Sequence, residues 1–135
     1  MYKRQLPARV VIDRSDRRLT LLRGDVRVRA FPVAVGQDAY PTPLGARSVV
    51  TKEKDPAWTP PDSPWAAELE TIPPGTGNPL GTRWIGLGGA IGIHGTYAAG
   101  SIGTAASHGC VRMLVPDAEW LYDELRAGTP VTIQA

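Results

Sequence analysis

Seven prolines fall between residues 54 and 82: Pro56, Pro60, Pro61, Pro64, Pro73, Pro74 and Pro79. Each removes a backbone donor and fixes φ, so no long helix or central strand fits that stretch. Glycine extends the punctuation to the rest of the chain. With 15 Gly and 13 Pro in 135 residues, more than a fifth of the sequence favours turns. That share is high for a helical bundle and points to a β-rich fold of short elements. The length suits a single domain over residues 1–135. A hydrophobic fraction of 42% argues against disorder.

The regular elements are read from pattern. Residues 9–13 and 17–23 form strands, because β-branched and aliphatic residues are bounded there by polar ones. Gly24-Asp25 suits a type II′ hairpin turn. Residues 26–35 continue as a third strand, in which Pro32 marks an edge or a bulge. In it Arg27 and Arg29 alternate with Val26, Val28 and Ala30, as on a solvent-facing strand. Residues 36–45 form a loop, and residues 46–52, 83–87, 90–93 and 131–133 are further strands. One substantial helix is expected at residues 116–127. Pro116 suits its first turn, and Ala118, Leu121, Tyr122 and Leu125 make one apolar stripe. Arg126 falls in its last turn and Gly128 supplies its stop. Trp58 and Trp65 make the proline-rich segment either a binding wall or lid, or a loop pinned to the core by its tryptophans.

Charge narrows the partners. A net charge of +2 is too small to imply nucleic acid. Nine basic against three acidic residues lie in positions 1–35, and a solvated strand face accounts for them. Met1-Tyr2-Lys3-Arg4 is a basic start with no apolar stretch before Asp13, so no export signal is expected in this sequence.

The reactive side chains are few and close together. One cysteine excludes an internal disulfide and any cysteine-cluster metal site. His94, His108 and Cys110, the only imidazoles and the only thiol, lie within 17 residues rich in Gly, Ala, Ser and Thr. A thiol becomes a nucleophile as thiolate, and a neighbouring imidazole that takes its proton gives a thiolate–imidazolium pair. Gly109 permits a tight turn, whose backbone N–H groups can face a developing oxyanion. His94 follows the apolar run Ile91-Gly92-Ile93 and so ends a strand, whereas His108 shares the turn with Cys110. The more rigid support favours His94 as base. Two other readings stand beside this one: buried structural Cys and His residues, and a His₂Cys metal site with an open position.

Ile93-His94-Gly95-Thr96, followed by Ser107-His108-Gly109-Cys110-Val111-Arg112-Met113, closely resembles the signature of the L,D-transpeptidase catalytic domain family. The resemblance runs over residues 8–133. It takes in Tyr40-Pro41-Thr42-Pro43-Leu44-Gly45, the Trp58-Thr59-Pro60-Pro61 stretch and Asn78-Pro79-Leu80-Gly81, which are similar to the family's substrate-side loops. It implies a mainly β domain, a β-sandwich or barrel with one substantial helix near the C-terminus. It also implies a peptidoglycan cross-linking enzyme without cofactor or metal, acting as a monomer on stem peptides outside the cytoplasmic membrane. Cys110 would attack the diaminopimelate carbonyl of a donor tetrapeptide and expel D-alanine, and an amine would then take the acyl group. His94 would move the protons, and carbapenems would acylate Cys110. Ser107, His108, Gly109 and Gly95 would shape the site and the oxyanion hole. Arg112, Tyr97 and Trp84 would contact substrate. Some members carry Ser where this chain has Gly95, which leaves a backbone carbonyl to orient the base. Others carry Asn where this chain has Arg112, a departure that bears on donor selectivity. An L,D-carboxypeptidase with the same site and a non-catalytic peptidoglycan-binding module are the alternatives.

Overall fold

A computed structural model describes residues 6–60 and 62–135; the basic start at residues 1–4 and Pro61 fall outside them. Among the described residues there are β1 (Ala8–Asp13), β2 (Arg18–Arg23), β3 (Val26–Pro32), β4 (Val35–Gly36), β5 (Gly45–Ser48) and β6 (Thr51–Lys54). The chain continues through β7 (Arg83–Gly86), β8 (Gly92–Thr96), β9 (Ala105–Ser107), β10 (Val111–Leu114), α1 (Val115–Glu124) and β11 (Pro130–Gln134). One sheet runs β3-β2-β1-β11-β5 and a second runs β10-β8-β7-β6; β4 and β9 pair separately. No helix among the described residues is long and apolar enough to cross a membrane.

Strand alternation builds the core. Val10, Ile12, Leu19, Leu21, Val131 and Ile133 point inward from the first sheet. Ile85, Ile93, Val111 and Met113 meet them from the second, all with no exposed surface. Each such side chain contributes about 1.5–3 kcal/mol by leaving water. Two sheets around a shared core make the expected sandwich. Ala118, Leu121 and Leu125 bring α1 into the same core. Gly95 on β8 leaves room for it, since a Cβ there would stand 3.3 Å from Val115 Cγ2 and 3.7 Å from Ala118 Cβ.

Three expected elements are cut shorter, each for an identifiable reason. The third strand ends at Pro32, on the sheet edge as the proline suggested. From there Val33 N–H donates to Arg17 O in the first sheet, and Ala34 exchanges two 2.9 Å hydrogen bonds with Arg112 on β10. The expected strand at 46–52 divides into β5 and β6. Val49 N–H donates to Thr129 O beside the first sheet, and Val50 N–H to Gly86 O in the second. The chain thus crosses between layers at two adjacent residues. The helix stops at Glu124, because Leu125 turns extended (φ −103°, ψ 155°). Arg126 therefore lies beyond the last turn, where its N–H donates to Thr129 Oγ1. Gly128, with φ +92°, turns the chain toward β11 instead of capping the helix. Arg29 is also more than a solvated residue. Its guanidinium lies 4.6 Å from the Phe31 ring centroid and 5.0 Å from that of Trp120, and 3.7 Å from Asp117.

Candidate active site

Because Val111, Met113, Ile93 and Ile85 fill the core, their strand neighbours face the other way. The register places four of these in one row across the second sheet: Arg112 beside His94, His94 beside Trp84, and Trp84 beside Glu53. Cys110 precedes Val111 and returns to the row's face, next to Gly92. These residues line a cleft of about 1350 Å³. The proline-rich segment forms its opposite wall, with Trp58, Trp65 and Leu80 among the lining residues. That segment is held by Asn78, which is buried. Its Nδ2 lies 2.9 Å from Pro56 O and 3.1 Å from Ile72 O and from Pro73 O. Trp58 and Ile72 add a pair of 2.8 Å main-chain hydrogen bonds.

His94 is only 5% exposed, and its Nδ1 lies 2.8 Å from the Gly95 carbonyl oxygen. A carbonyl only accepts, so Nδ1 carries the proton and Nε2 is left as an acceptor. The orienting group is thus the backbone carbonyl that the missing Ser left available. Burial pulls the imidazole pKa down to about 4; the Gly95 bond opposes this and the Arg112 charge adds to it. Cys110 is half-buried, and its thiol donates to Ala90 O at 3.3 Å. Burial pushes its pKa up, against the opposing pull of the Gly92 backbone amide and Arg112. Burial thus favours the neutral form of both groups.

The turn before Cys110 is tied on both sides. Buried Ser107 donates its hydroxyl to Cys110 O and accepts from Gly109 N–H at 3.1 Å. Thr42, fully buried, donates to Gly109 O at 2.8 Å and accepts from Gly36 N–H at 2.8 Å. Gly109 has φ +121°, a conformation that disfavours any side chain. Its own amide is engaged by Ser107. His108 faces away from this bonding. Its ring stacks on Trp65, with centroids 3.7 Å apart and planes 10° from parallel, and Tyr40 lies 4.9 Å away. His108 is exposed; partial desolvation and the Arg112 charge lower its pKa. Arg112 is half-buried, and among the described residues its guanidinium has no ion pair or hydrogen bond.

The structure brings Cys110, His94, His108, Ser107, Arg112 and Trp84 to one cleft. Gly95 faces α1 and reaches the site through its carbonyl alone. Tyr97 is not brought to the cleft. It lies beyond the end of β8, is 46% exposed and does not line the cleft. Three positions past His94, strand alternation no longer keeps it on His94's face. Sequence reasoning missed Glu53, whose place depends on β6–β7 register, and Thr42, whose partner is 67 residues away. Among the described residues, no three His, Cys, Asp or Glu side chains converge as a metal ion requires.

Residues 7–133 match the YkuD family, described as the L,D-transpeptidase catalytic domain. The chain is 35% identical over 114 residues to "Probable L,D-transpeptidase ErfK/SrfK" of Escherichia coli K12, covering 78% of this chain and 37% of that protein. It is 33% identical over 132 residues to "Probable L,D-transpeptidase YbiS" of the same strain, covering 90% of this chain and 43% of that protein. The chain thus spans about two fifths of the length of these relatives. The fold is similar to that of L,D-transpeptidase 3 from Mycobacterium tuberculosis, crystallised with a faropenem-derived adduct. The TM-score is 0.77 at 22% identity, over 95% of this chain and 60% of the other. The match over nearly the whole chain establishes that it belongs to the YkuD family of L,D-transpeptidase catalytic domains.

Proposed function

We propose that this domain is a cysteine-dependent peptidoglycan L,D-transpeptidase. The observation that carries the reading is His94, fixed through Nδ1 on Gly95 O so that Nε2 is free as an acceptor in the cleft that holds Cys110. Cys110, which directly precedes β10, and His94 on the paired strand β8 line the same cleft. In the first step Sγ bonds to the diaminopimelate carbonyl of a donor tetrapeptide as His94 Nε2 takes the thiol proton. Collapse of the tetrahedral intermediate breaks the amide bond, and His94 returns the proton to the departing D-alanine amine. In the second step an acceptor amine attacks the thioester, gives its proton to His94 and releases Cys110 as thiol.

Arg112 supports the donor assignment. An unpaired, half-buried guanidinium beside the base suits a substrate carboxylate, which its planar fork binds through two parallel hydrogen bonds. The Ser107–Cys110 turn supports an oxyanion site, where one backbone donor contributes about 3 kcal/mol in comparable enzymes. Such a substrate lies outside the cytoplasmic membrane, so the domain works there, as a monomeric catalytic unit spanning the chain. Products from purified tetrapeptide muropeptides test the reading. Cross-linked dimers are expected, and they disappear in Cys110→Ala. Trimmed tripeptides alone would instead identify a carboxypeptidase, and binding without any product a wall-binding module.

A further inference from the structure

Trp84 stands in register with His94 on β8 and lines the cleft, yet its indole lies along the sheet. It lies down over the next row of the same sheet. A Cβ on Gly92 would sit 2.4, 2.6 and 2.7 Å from three carbons of the indole. A Cβ on Gly86 would sit 3.0 Å from its Nε1. Gly86 and Gly92 are themselves cross-strand partners. Two glycines side by side leave a bare floor, and the indole occupies it. From there the ring lies nearly parallel to His94, 22° between planes and 6.0 Å between centroids. The other lateral neighbour of His94 is Arg112, whose guanidinium has no ion pair or hydrogen bond among the described residues. Of the two neighbours of the imidazole, the flat bicyclic ring is the one seated against the strand backbone.

We propose that Trp84 is a positioning residue. Its indole, seated on Gly86 and Gly92, holds the His94 ring so that Nδ1–H stays on Gly95 O and Nε2 faces the cleft, and it keeps water from the ring. The proposal deepens the transpeptidase reading and rests on it only for the turnover measurements. It replaces a substrate-contact role for Trp84 with one exerted through His94.

The chain has only two histidines, so an NMR pH titration reports each imidazole separately. The charged and titratable groups that share the cleft with His94 are Arg112 from β10, Cys110 and His108 from the turn before it, Glu53 beyond Trp84 on β6, and Tyr40, Asp62, Glu68 and Glu70 from the loops around it. Helix α1 lies behind β8, on the Gly95 side. In Trp84→Ala, water reaches the ring, and the His94 midpoint is expected to rise by about one to two pH units toward the ordinary imidazole range. Trp84→Phe, which keeps an aromatic face, should shift it less. Gly92→Ala lifts the indole without deleting it and should shift the midpoint in the same direction. In a peptidoglycan tetrapeptide assay, Trp84→Ala should lose kcat by roughly 100-fold with little change in KM, as when a catalytic group is displaced by about an ångström. If the wild type gives no product but the titration shift is seen, the positioning role stands and the transpeptidase reading falls. An unmoved His94 midpoint in Trp84→Phe and Gly92→Ala, or in folded Trp84→Ala with only KM raised, overturns the proposal.

Discussion

His94 donates its Nδ1–H to the carbonyl oxygen of Gly95, its own chain neighbour, across 2.8 Å. A base oriented by a side chain depends on a second residue at a distance. Here the orienting group is part of the strand that carries the base. The absence of a Cβ at position 95 lets α1 pack against that strand, so one residue serves both the helix contact and the base.

Burial of neutral His94 links stability to pH. Its folded pKa, about 4, lies below the unfolded value of 6.5. Between these values the unfolded chain binds the extra proton, so stability is complete above pH 6.5 and is lost as pH falls toward 4. The difference amounts to about 3 kcal/mol. Denaturant unfolding at pH 7 and pH 4 should show that loss in the wild type and not in His94→Phe. An equal loss in both proteins would assign it to other groups. For turnover, the acid limb of kcat/KM should fall near pH 4, well below the ordinary imidazole midpoint.

Ser107→Ala removes one hydroxyl that serves two main-chain groups, Cys110 O and Gly109 N–H. The position is 2% exposed, so water does not replace the hydroxyl. Stability should fall by about 1–3 kcal/mol. Because Cys110 hangs from the same turn, the rate of Cys110 acylation by a carbapenem should fall with it. Thermal unfolding and the acylation rate, followed by intact mass, check both. An unchanged acylation rate in a destabilised protein would separate the turn from the chemistry.

Asn78→Ala strips the cleft's outer wall of its tie. Three carbonyls lose their donor, and Leu80 N–H loses the Oδ1 that accepts it at 2.8 Å. The Trp58 and Ile72 amides should then exchange with deuterium markedly faster, while those of β8 and β10 keep their protection. KM for the tetrapeptide should rise several-fold and kcat should change less, because Cys110 and His94 are held by the sheet. Uniform loss of protection would show that Asn78 supports the whole fold.

What could be read from the sequence was local. Ser107, Gly109 and Cys110 share one turn, and His94 follows an apolar run that ends in a buried strand. Their grouping needs only strand alternation and turn geometry. The missed features depend on which sheet receives each amide. Val49 and Val50 look like the middle of one strand, yet their N–H groups serve two layers. Glu53 enters the row of Arg112, His94 and Trp84 only through β6–β7 register. Tyr97 was placed with the substrate by motif position, and the end of β8 takes it out of the cleft. Of the two readings of the proline-rich segment the wall is the one seen: Trp58 and Trp65 line the cleft, and Asn78, not the tryptophans, pins the segment.

The most direct measurement is intact-protein mass spectrometry after brief exposure to a purified tetrapeptide stem with no acceptor amine. The wild type should gain the mass of the stem less its terminal D-alanine, in a bond cleaved by hydroxylamine and mapped to Cys110. Cys110→Ala should gain nothing. An adduct on any other residue, or release of D-alanine by Cys110→Ala at the wild-type rate, contradicts the account.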